Sequence, residues 1–381
     1  MNIIMCFYNE NIENKRGDST HFRELALNLA RNNNVFLITP TEYTESQIDD
    51  GLKMYRIKRL FKHYLLRTVF SSIQIFFIAK EIIRKNRIDY IYERFGFFQA
   101  GTILSKVYKI RLVAEVNSIG EERKTNNWSK NTLLVNYMKR IVTSSHILIC
   151  VTEGIKEYIY EKFGRKKNVF VISNGANTDV FRPIHDQNLK KELGLDTESK
   201  YVCFVGNFEH WQGVEHLIDA SDLILKSVPN TKFLIVGEGR MRQPWEEAVK
   251  KKGLQNNYRF TGAVRYEDVP KYINVADVCV ALKKPLSSGY STLKLYEYMA
   301  CGKPVVATNT KGFEILQEYN AGKLINHQNP IDVANNIVKL LMDDKLREEM
   351  GRNGRRVIEE KYSWKCIAEK IEELCKNALN P

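Results

Sequence analysis

The residues best suited to chemistry lie in one stretch, Ser287 to Val306, with the sequence SSGYSTLKLYEYMACGKPVV. Its hydroxyl and glycine residues precede a predicted short helix, which runs from about Ser291 to Ala300 and stops at Gly302. The first backbone N–H groups of a helix have no intrahelical partner and lie at the positive end of the helix dipole. Lys294, in the first turn, adds a full positive charge. The stretch therefore predicts a site for a diphosphate.

Glu297 follows Lys294 by three residues and shares its helix face. A carboxylate one turn from a phosphate site can accept hydrogen bonds from sugar hydroxyls. The alternative is an ordinary capped helix with a surface Lys–Glu pair. These residues alone do not separate the two interpretations, so the surrounding elements have to decide.

Predicted strands and helices alternate along the chain. Asn2–Tyr8 is a strand, His21–Asn32 a helix and Asn34–Thr39 a second strand, which together predict a parallel βαβ unit. The pattern repeats, and a second set of elements begins with the strand Tyr201–Val205. The fold class is α/β, with two Rossmann-like, doubly wound domains and a ligand site in the cleft between them. We expect the boundary near Pro183, which gives domains 1–183 and 184–361.

The composition supports a globular protein of two domains. The chain has 381 residues, of which 44% are hydrophobic and 27% are charged. Its longest apolar run, Thr68 to Ala79, is shorter than the about 20 residues that cross a bilayer. The N-terminal residues MNIIMCFYNE predict a strand rather than a signal peptide. Seven scattered cysteines without a CxxC pair indicate reduced core residues of a cytoplasmic protein.

The net charge of +13 is concentrated in the first half of the chain. Residues 1–186 contain 29 basic and 19 acidic residues, and the basic residues are densest from Lys53 to Arg111. Such a region suits an anionic membrane surface or an acidic polymer. No helix-turn-helix, zinc finger or RNP motif accompanies it, which argues against nucleic acid. A solvated basic surface without a partner is the other interpretation.

The sequence from Lys294 to Val306 resembles the K-L-x-E-Y-M-A-x-G-x-P-V-V signature found in a branch of the family-4 retaining glycosyltransferases of the GT-B fold. Four further stretches are similar to motifs of that family: Gly17–Leu25, Val171–Pro183, Val236–Gly239 and Phe260–Gly262. One short match of this kind would be weak. Five in the family's order are specific.

The resemblance implies a transferase that takes a sugar from a UDP- or GDP-sugar bound by the C-terminal domain. The N-terminal domain would present the acceptor, which we expect to be lipid-linked or a polysaccharide at the inner membrane face. Lys294 would neutralise the leaving diphosphate, Glu297 would bind the ribose, and Asn117 would act on the acceptor side. The residues implied in donor binding are Gly17, Asp18, Gly206, Asn207, Gln212, Gly237, Gly239, Ala263, Gly289, Tyr290, Ser291, Thr292 and Leu293. The last helix, from about residue 362 to 381, would cross back to the first domain.

Three departures from the family pattern are informative. The earlier glutamate of the E-x(7)-E motif is Gly289, and the usual arginine and lysine of the first C-domain loop are Asn207 and Gln212. These changes leave Lys294 as the only clear phosphate cation. Two other functions therefore stay open: a soluble sugar-phosphate or disaccharide synthase, and an inactive subunit that binds nucleotide-sugars.

The family is thought to transfer the sugar on one face, with the departing phosphate accepting the acceptor's proton. No dedicated base is then required. Glu115, Asn117 and Glu121 are candidate acceptor-side residues or merely polar strand ends. His21 and His210 are candidates of the same kind. No ligand cluster has metal spacing, and Gly237-Glu238-Gly239 lacks the third glycine of a dinucleotide site, so we expect neither a metal nor another cofactor.

Overall fold

The computed structural model describes residues 1–8, 11–13, 17–41, 46–49, 51–61, 63–96, 98–120 and 132–379. The chain divides into two compact units. The first comprises Met1–Asn174 and Trp364–Pro381, and the second comprises Gly175–Ser363. The first boundary thus lies before the predicted one at residue 183, because the stretch that follows Asn174 packs with the second unit. The end of the chain is grouped with the first unit.

The first unit is a doubly wound α/β sheet. Its strands are β1 (Asn2–Cys6), β2 (Asn34–Pro40), β3 (Ser46–Asp49), β4 (Leu52–Ile57), β5 (Tyr90–Arg94), β6 (Arg111–Val116), β7 (Ile147–Cys150) and β8 (Val169–Val171). Its helices are α1 (Gly17–Ala30), α2 (Tyr64–Lys85), α3 (Ala100–Tyr108), α4 (Thr132–Ser144), α5 (Glu153–Phe163) and α14 (Trp364–Leu379). The strand order is β3-β4-β2-β1-β5-β6-β7-β8, and all pairs are parallel except β3 with β4.

Helices cover both faces of this sheet, as its apolar strands require. Residues of α2 and α3, among them Ile75, Ala79 and Leu104, are buried in one core with β1, β2 and β5. Elsewhere in the unit α1 packs against α14. The antiparallel strands β3 and β4 were not predicted, since the first is short and polar and the second alternates exposed and buried residues.

The second unit is built on a six-stranded parallel sheet. Its strands are β9 (Lys200–Val205), β10 (Thr231–Val236), β11 (Tyr258–Gly262), β12 (Val278–Ala281), β13 (Val305–Thr308) and β14 (Gly322–Ile325). Its helices are α6 (Leu189–Glu192), α7 (Val214–Ser227), α8 (Arg242–Lys251), α9 (Val269–Asn274), α10 (Leu293–Ala300), α11 (Ile315–Glu318), α12 (Pro330–Met342) and α13 (Asp344–Val357). A π-helical turn, Ile358–Tyr362, follows α13.

The strand order β11-β10-β9-β12-β13-β14 fixes where this unit can bind a ligand. The chain runs outward from β9 to β11 and then returns to continue in the other direction from β12. The order therefore reverses between β9 and β12, and open α/β sheets bind ligands outside the carboxyl ends of their strands at such a point. The loops that follow β9, β10 and β12 all end there.

Within the described part of the chain, no helix is both long and apolar enough to cross a membrane. All seven cysteines are free thiols, and only Cys366 among them is not fully buried. Each of the other six therefore packs as a small core side chain.

Candidate functional site

Lys294 lies in the first turn of α10, two residues after Thr292, which adopts the extended backbone of an N-cap. The helix begins at Leu293, slightly later than predicted. The ammonium group is buried, donates a hydrogen bond of 2.9 Å to Gln212 Oε1, and lies 3.9 Å from the centroid of the Phe204 ring. A buried cation with neutral partners is costly unless an anion joins it.

The pKa of Lys294 reflects this setting. Burial lowers it well below its ordinary value, the charge of Lys283 lowers it further, and Glu297 offsets part of the change. An anion that bound here would stabilise the ammonium form. The electrostatics therefore favour a phosphate-bearing ligand next to Nζ.

Lys283 is a second buried cation that the sequence analysis missed. It follows the carboxyl end of β12, is 6% exposed, and places Nζ 3.9 Å from the centroid of the Tyr290 ring. The sequence predicts Lys294 as the only clear phosphate cation. The structure adds Lys283 as a second buried lysine at the same edge of the sheet. The signal was present in the sequence, since a lysine directly after a buried parallel strand lies at the ligand-binding edge of its sheet.

The glycine loops after β9 and β10 meet beside Lys294. The N–H of Gly206 donates to the carbonyl of Val236, and that of Gly237 donates to the carbonyl of Gly262. Gly206 has a φ of 147°, and a Cβ there would lie 2.6 Å from Lys294 Nζ. The close approach of lysine and backbone therefore requires glycine at this position.

Gly289 occupies the position where the family pattern has a glutamate. It has a φ of 71°, and a Cβ would lie 2.6 Å from the carbonyl oxygen of Lys311. The next residue, Tyr290, donates its N–H to that same carbonyl. A glutamate at position 289 would strain this loop. The chain therefore differs from the family pattern in the backbone conformation of the loop as well as in the side chain at this position.

The other predicted donor residues of the second unit border the same loops. Asn207 and Gly239 are exposed, whereas Gln212 and Tyr290 are buried. The half-buried positions are Ser291, Thr292, Leu293 and Glu297. Ala263 is exposed and follows Gly262 at the end of β11. His210 is half-buried, and its ring centroid lies 4.8 Å from that of Trp211.

Comparisons with known proteins identify the family of this architecture. The model described as Glycosyltransferase Family 4 matches residues 16–180, and that described as Glycosyl transferases group 1 matches residues 185–357. The chain belongs to the family-4, group 1 glycosyltransferases. The family-4 assignment predicted from the sequence is confirmed, while the retaining mechanism and the branch indicated by Lys294 to Val306 stay predictions.

Relatives match this glycosyltransferase over much of its length. An uncharacterised glycosyltransferase of Methanocaldococcus jannaschii is 26% identical and is aligned over 95% of each chain. The N-acetyl-alpha-D-glucosaminyl L-malate synthase of Bacillus anthracis is 25% identical over 65% of this chain and 63% of its own.

Solved structures confirm the GT-B fold. Sucrose-phosphate synthase of Thermosynechococcus elongatus superimposes with a TM-score of 0.82 and 19% identity, covering 99% of this chain and 98% of its own. The Anabaena protein HepE in complex with UDP and glucose gives a TM-score of 0.74 with 18% identity, covering 99% and 100%.

The predicted residues of the glycosyltransferase's first unit lie at helix and strand ends. Gly17 is the first residue of α1 and is exposed, so it belongs to the helix rather than to the predicted loop before it. Asn117 is half-buried directly after β6. The side chain of Asp18 and the whole of Glu121 lie outside the described residues.

Glu115, a candidate acceptor-side residue, is instead an interior group. Its carboxylate accepts a 2.9 Å hydrogen bond from His21 Nε2 and a 2.5 Å bond from the Tyr92 hydroxyl, and Arg94 Nε lies 3.2 Å away. His21 Nδ1 contacts the amide oxygen of Asn174 at 2.5 Å. Burial raises the pKa of Glu115, but His21, Arg94 and Tyr92 outweigh it and hold that pKa at about 2.

Glu93, on the neighbouring strand β5, is a second buried carboxyl group. It accepts hydrogen bonds from the Tyr8 hydroxyl, the Gly101 N–H and the Thr102 hydroxyl, and so fixes the N-terminal end of α3. Burial raises the pKa of Glu93 to about 7 against the opposing effect of these hydrogen bonds. The group therefore changes charge near neutral pH.

Substituting Glu93→Gln should remove a pH dependence of stability. Between pH 4.5 and about 7 the folded protein keeps a proton on Glu93 that the unfolded chain loses. Glu93 therefore contributes a fall in the wild-type free energy of unfolding as pH rises through this window, of about 3 kcal/mol at about 1.4 kcal/mol per pKa unit. Denaturant unfolding at both ends of the window measures the loss.

The exposed Glu161, on α5 of the same unit, supplies the matched control. Glu161→Gln should retain the wild-type pH profile, because an exposed carboxyl group has nearly the same surroundings in both states. Parallel profiles for the wild type and Glu93→Gln would contradict the assignment.

Proposed function

We propose that the protein is a retaining glycosyltransferase that moves a sugar from a UDP- or GDP-sugar to a lipid-linked or polysaccharide acceptor in cell-surface glycan synthesis. The observation that carries the proposal is the pair of buried lysines, Lys283 and Lys294, at the carboxyl end of β12. An ammonium group that is buried beside a second buried lysine is stabilised by a bound anion, and a nucleotide diphosphate leaving group supplies one.

The roles of the residues follow from the charge that develops during transfer. As the bond between the sugar C1 and the diphosphate oxygen breaks, negative charge grows on the leaving group, where Lys294 and Lys283 stabilise it. The acceptor oxygen bonds to C1 on the same face, and its proton passes to the departing phosphate oxygen. Glu297 holds the ribose hydroxyls, and Asn117 acts on the acceptor side. Gln212 holds Lys294 Nζ before the donor arrives.

In this proposal lysines neutralise the diphosphate, and no metal ion or other cofactor takes part. Among the residues that the structure describes, no group of three or more His, Cys, Asp or Glu side chains could hold a metal. The loops that hold Gly206, Gly237 and Gly289 let the nucleotide approach the backbone. The enzyme would act in the cytoplasm, with its acceptor at the inner membrane face.

Names of related proteins support both the donor and the acceptor class. HepE has been solved with UDP-glucose. A GDP-mannose-dependent mannosyltransferase of Mycobacterium tuberculosis, named for a phosphatidylinositol monomannoside, is 24% identical over 65% of this chain. The second candidate function is a soluble synthase with a small acceptor. Two relatives named for small acceptors favour it: the N-acetyl-alpha-D-glucosaminyl L-malate synthase, and a D-inositol 3-phosphate glycosyltransferase that is 27% identical over 62% of this chain.

A thermal-shift screen against UDP, GDP, ADP and their sugars tests the proposal. At least one UDP or GDP compound should raise the unfolding temperature, because it binds only the folded state. Glu297→Ala should lose this shift, whereas Glu318→Ala, an exposed glutamate on α11, should keep it. Failure of every nucleotide would overturn the proposal, and an unchanged shift in Glu297→Ala would overturn the site. Binding without turnover would indicate an inactive subunit.

A further inference from the structure

Helix α2 is apolar on two opposite faces. Ile75, Ala79 and Ile82 point into the core of the first unit. On the other side Phe70, Ile73 and Phe77 repeat at helical spacing and are exposed, Phe77 by 60%. A helix that is apolar all round is normally covered on every side. Among the residues of the first unit that the structure describes, none buries the outer face of this helix.

A groove continues this exposed face toward α3. It has a volume of about 810 Å³ and is lined by Ile73 and Phe77 of α2, by Phe98, and by Ile103 and Val107 of α3. Phe98 has a φ of 55°, a backbone conformation that costs a bulky residue energy, and yet its side chain is 47% exposed. We call Phe70, Ile73, Phe77, Phe98, Ile103 and Val107 the α2–α3 apolar surface.

The charges beside this surface are predominantly basic, and the acidic exception on α2, α3 and α4 is Glu81, whose carboxylate lies 3.3 Å from Arg84. The sequence has no aspartate or glutamate at residues 51–80, 98–114 or 132–152, which include most of α2 and all of α3 and α4. Lys106 and Arg140 line the groove, and both are exposed. Exposed apolar side chains flanked predominantly by basic residues match the two layers of an anionic bilayer, hydrocarbon and acidic head groups.

We propose that the α2–α3 apolar surface docks on an anionic lipid bilayer, with α2 and α3 lying in the interface and the basic side chains on the head groups. This inference rests on the proposed function in one respect, because it selects a membrane-bound acceptor over a soluble one. No described helix is able to span a membrane, so the contact is peripheral. In this proposal lipid covers the α2–α3 apolar surface, so no protein partner is needed to bury it.

Vesicle flotation of the full chain, without nucleotide, tests the docking. The protein should float with vesicles of phosphatidylcholine mixed with phosphatidylglycerol at low salt, and should be released as salt screens the head groups. Vesicles of phosphatidylcholine alone should bind it weakly. The double variant Phe77→Ser with Ile103→Ser should lower the partition coefficient by about tenfold or more, because two exposed apolar side chains no longer enter hydrocarbon.

Matched controls lie in the second unit. Ile331→Ser with Met342→Ser removes two side chains that are 60% and 68% exposed and should leave flotation unchanged. Lys106→Gln with Arg140→Gln should weaken binding to the mixed vesicles, whereas Lys250→Gln with Lys251→Gln, two exposed lysines of α8, should not.

Several outcomes would overturn the docking. These are no flotation of the wild type, equal binding to both kinds of vesicle, and flotation unchanged by Phe77→Ser with Ile103→Ser. Light scattering that shows a dimer abolished by that variant would assign the surface to a second copy instead. The nucleotide thermal shift of the same variant should stay at the wild-type size. Docking can thus fail while nucleotide binding persists, or the reverse, so the two proposals are separable.

Discussion

Lys294→Ala should lower the kcat for sugar transfer by about 10²–10³-fold, the usual effect of removing one group that stabilises developing negative charge. The protein should still fold, because a buried ammonium beside Lys283 is a cost to the unliganded fold rather than a support for it. Steady-state kinetics together with a thermal melt separate these two effects. Lys283→Ala should also lower kcat, since both cations face the same charge.

Lys303 provides the matched control for a buried lysine outside the site. Burial lowers its pKa as well, and its Nζ donates to the carbonyl of Asn274 at 2.7 Å. Lys303→Ala should therefore keep kcat. In the wild type, kcat/KM should fall as rising pH deprotonates Lys294, at a pH well below the ordinary lysine pKa, because only the ammonium form stabilises the leaving group. Turnover close to wild type in both Lys294→Ala and Lys283→Ala would show that another cation carries the role.

Glu115→Ala should destabilise the first unit by about 3–5 kcal/mol, the range expected when one partner of a buried ion pair is removed. The substitution leaves His21, Arg94 and the Tyr92 hydroxyl facing a buried gap with no acceptor. Denaturant unfolding at neutral pH measures the loss. Glu161→Ala, at an exposed position, should stay within about 0.5 kcal/mol of the wild type.

Acid should reproduce part of this effect. The folded pKa of Glu115 is about 2 against 4.5 for an ordinary glutamate, so its stabilisation is complete above pH 4.5 and is lost as pH falls toward 2. Glu115→Gln should flatten the stability profile in that window. If Glu115→Ala instead raised KM for the acceptor with stability intact, the interior role would be wrong and the acceptor-side interpretation would return.

Much of the fold was predictable because parallel strands buried on both faces are nearly continuous apolar runs. Strands β2 (Asn34–Pro40) and β9 (Lys200–Val205) lie where the sequence predicts them, each one residue longer than predicted. Strands β3 and β4 were missed because β3 is short and polar, and because β4 alternates buried and exposed residues instead of forming a continuous apolar run. The compact units divide after Asn174, whereas the sequence places the boundary near Pro183, since a turn signal does not show which unit a linker packs against.

The candidate site was predictable where its residues lie close together in the sequence. Lys294 and Glu297 share one helix turn, and their spacing alone suggested a cation beside a carboxylate. Lys283 was missed because its nearness to Lys294 depends on the return of a loop, not on spacing. The burial of Glu115 against His21 was unpredictable for a similar reason. His21, the residue that neutralises it, is 94 positions away, and pairing over that distance is set by packing.

The grouping of α14 with the first unit has a consequence for how the protein is made. Trp364 packs its ring 5.0 Å from that of His21, and α14 lies against α1. A ribosome releases the second unit as one continuous segment, but it completes the first unit only after residues 364–379 have emerged. The half of the enzyme that is synthesised first is therefore the half that finishes folding last. Until then, the face of α1 that receives α14 lacks its native partner.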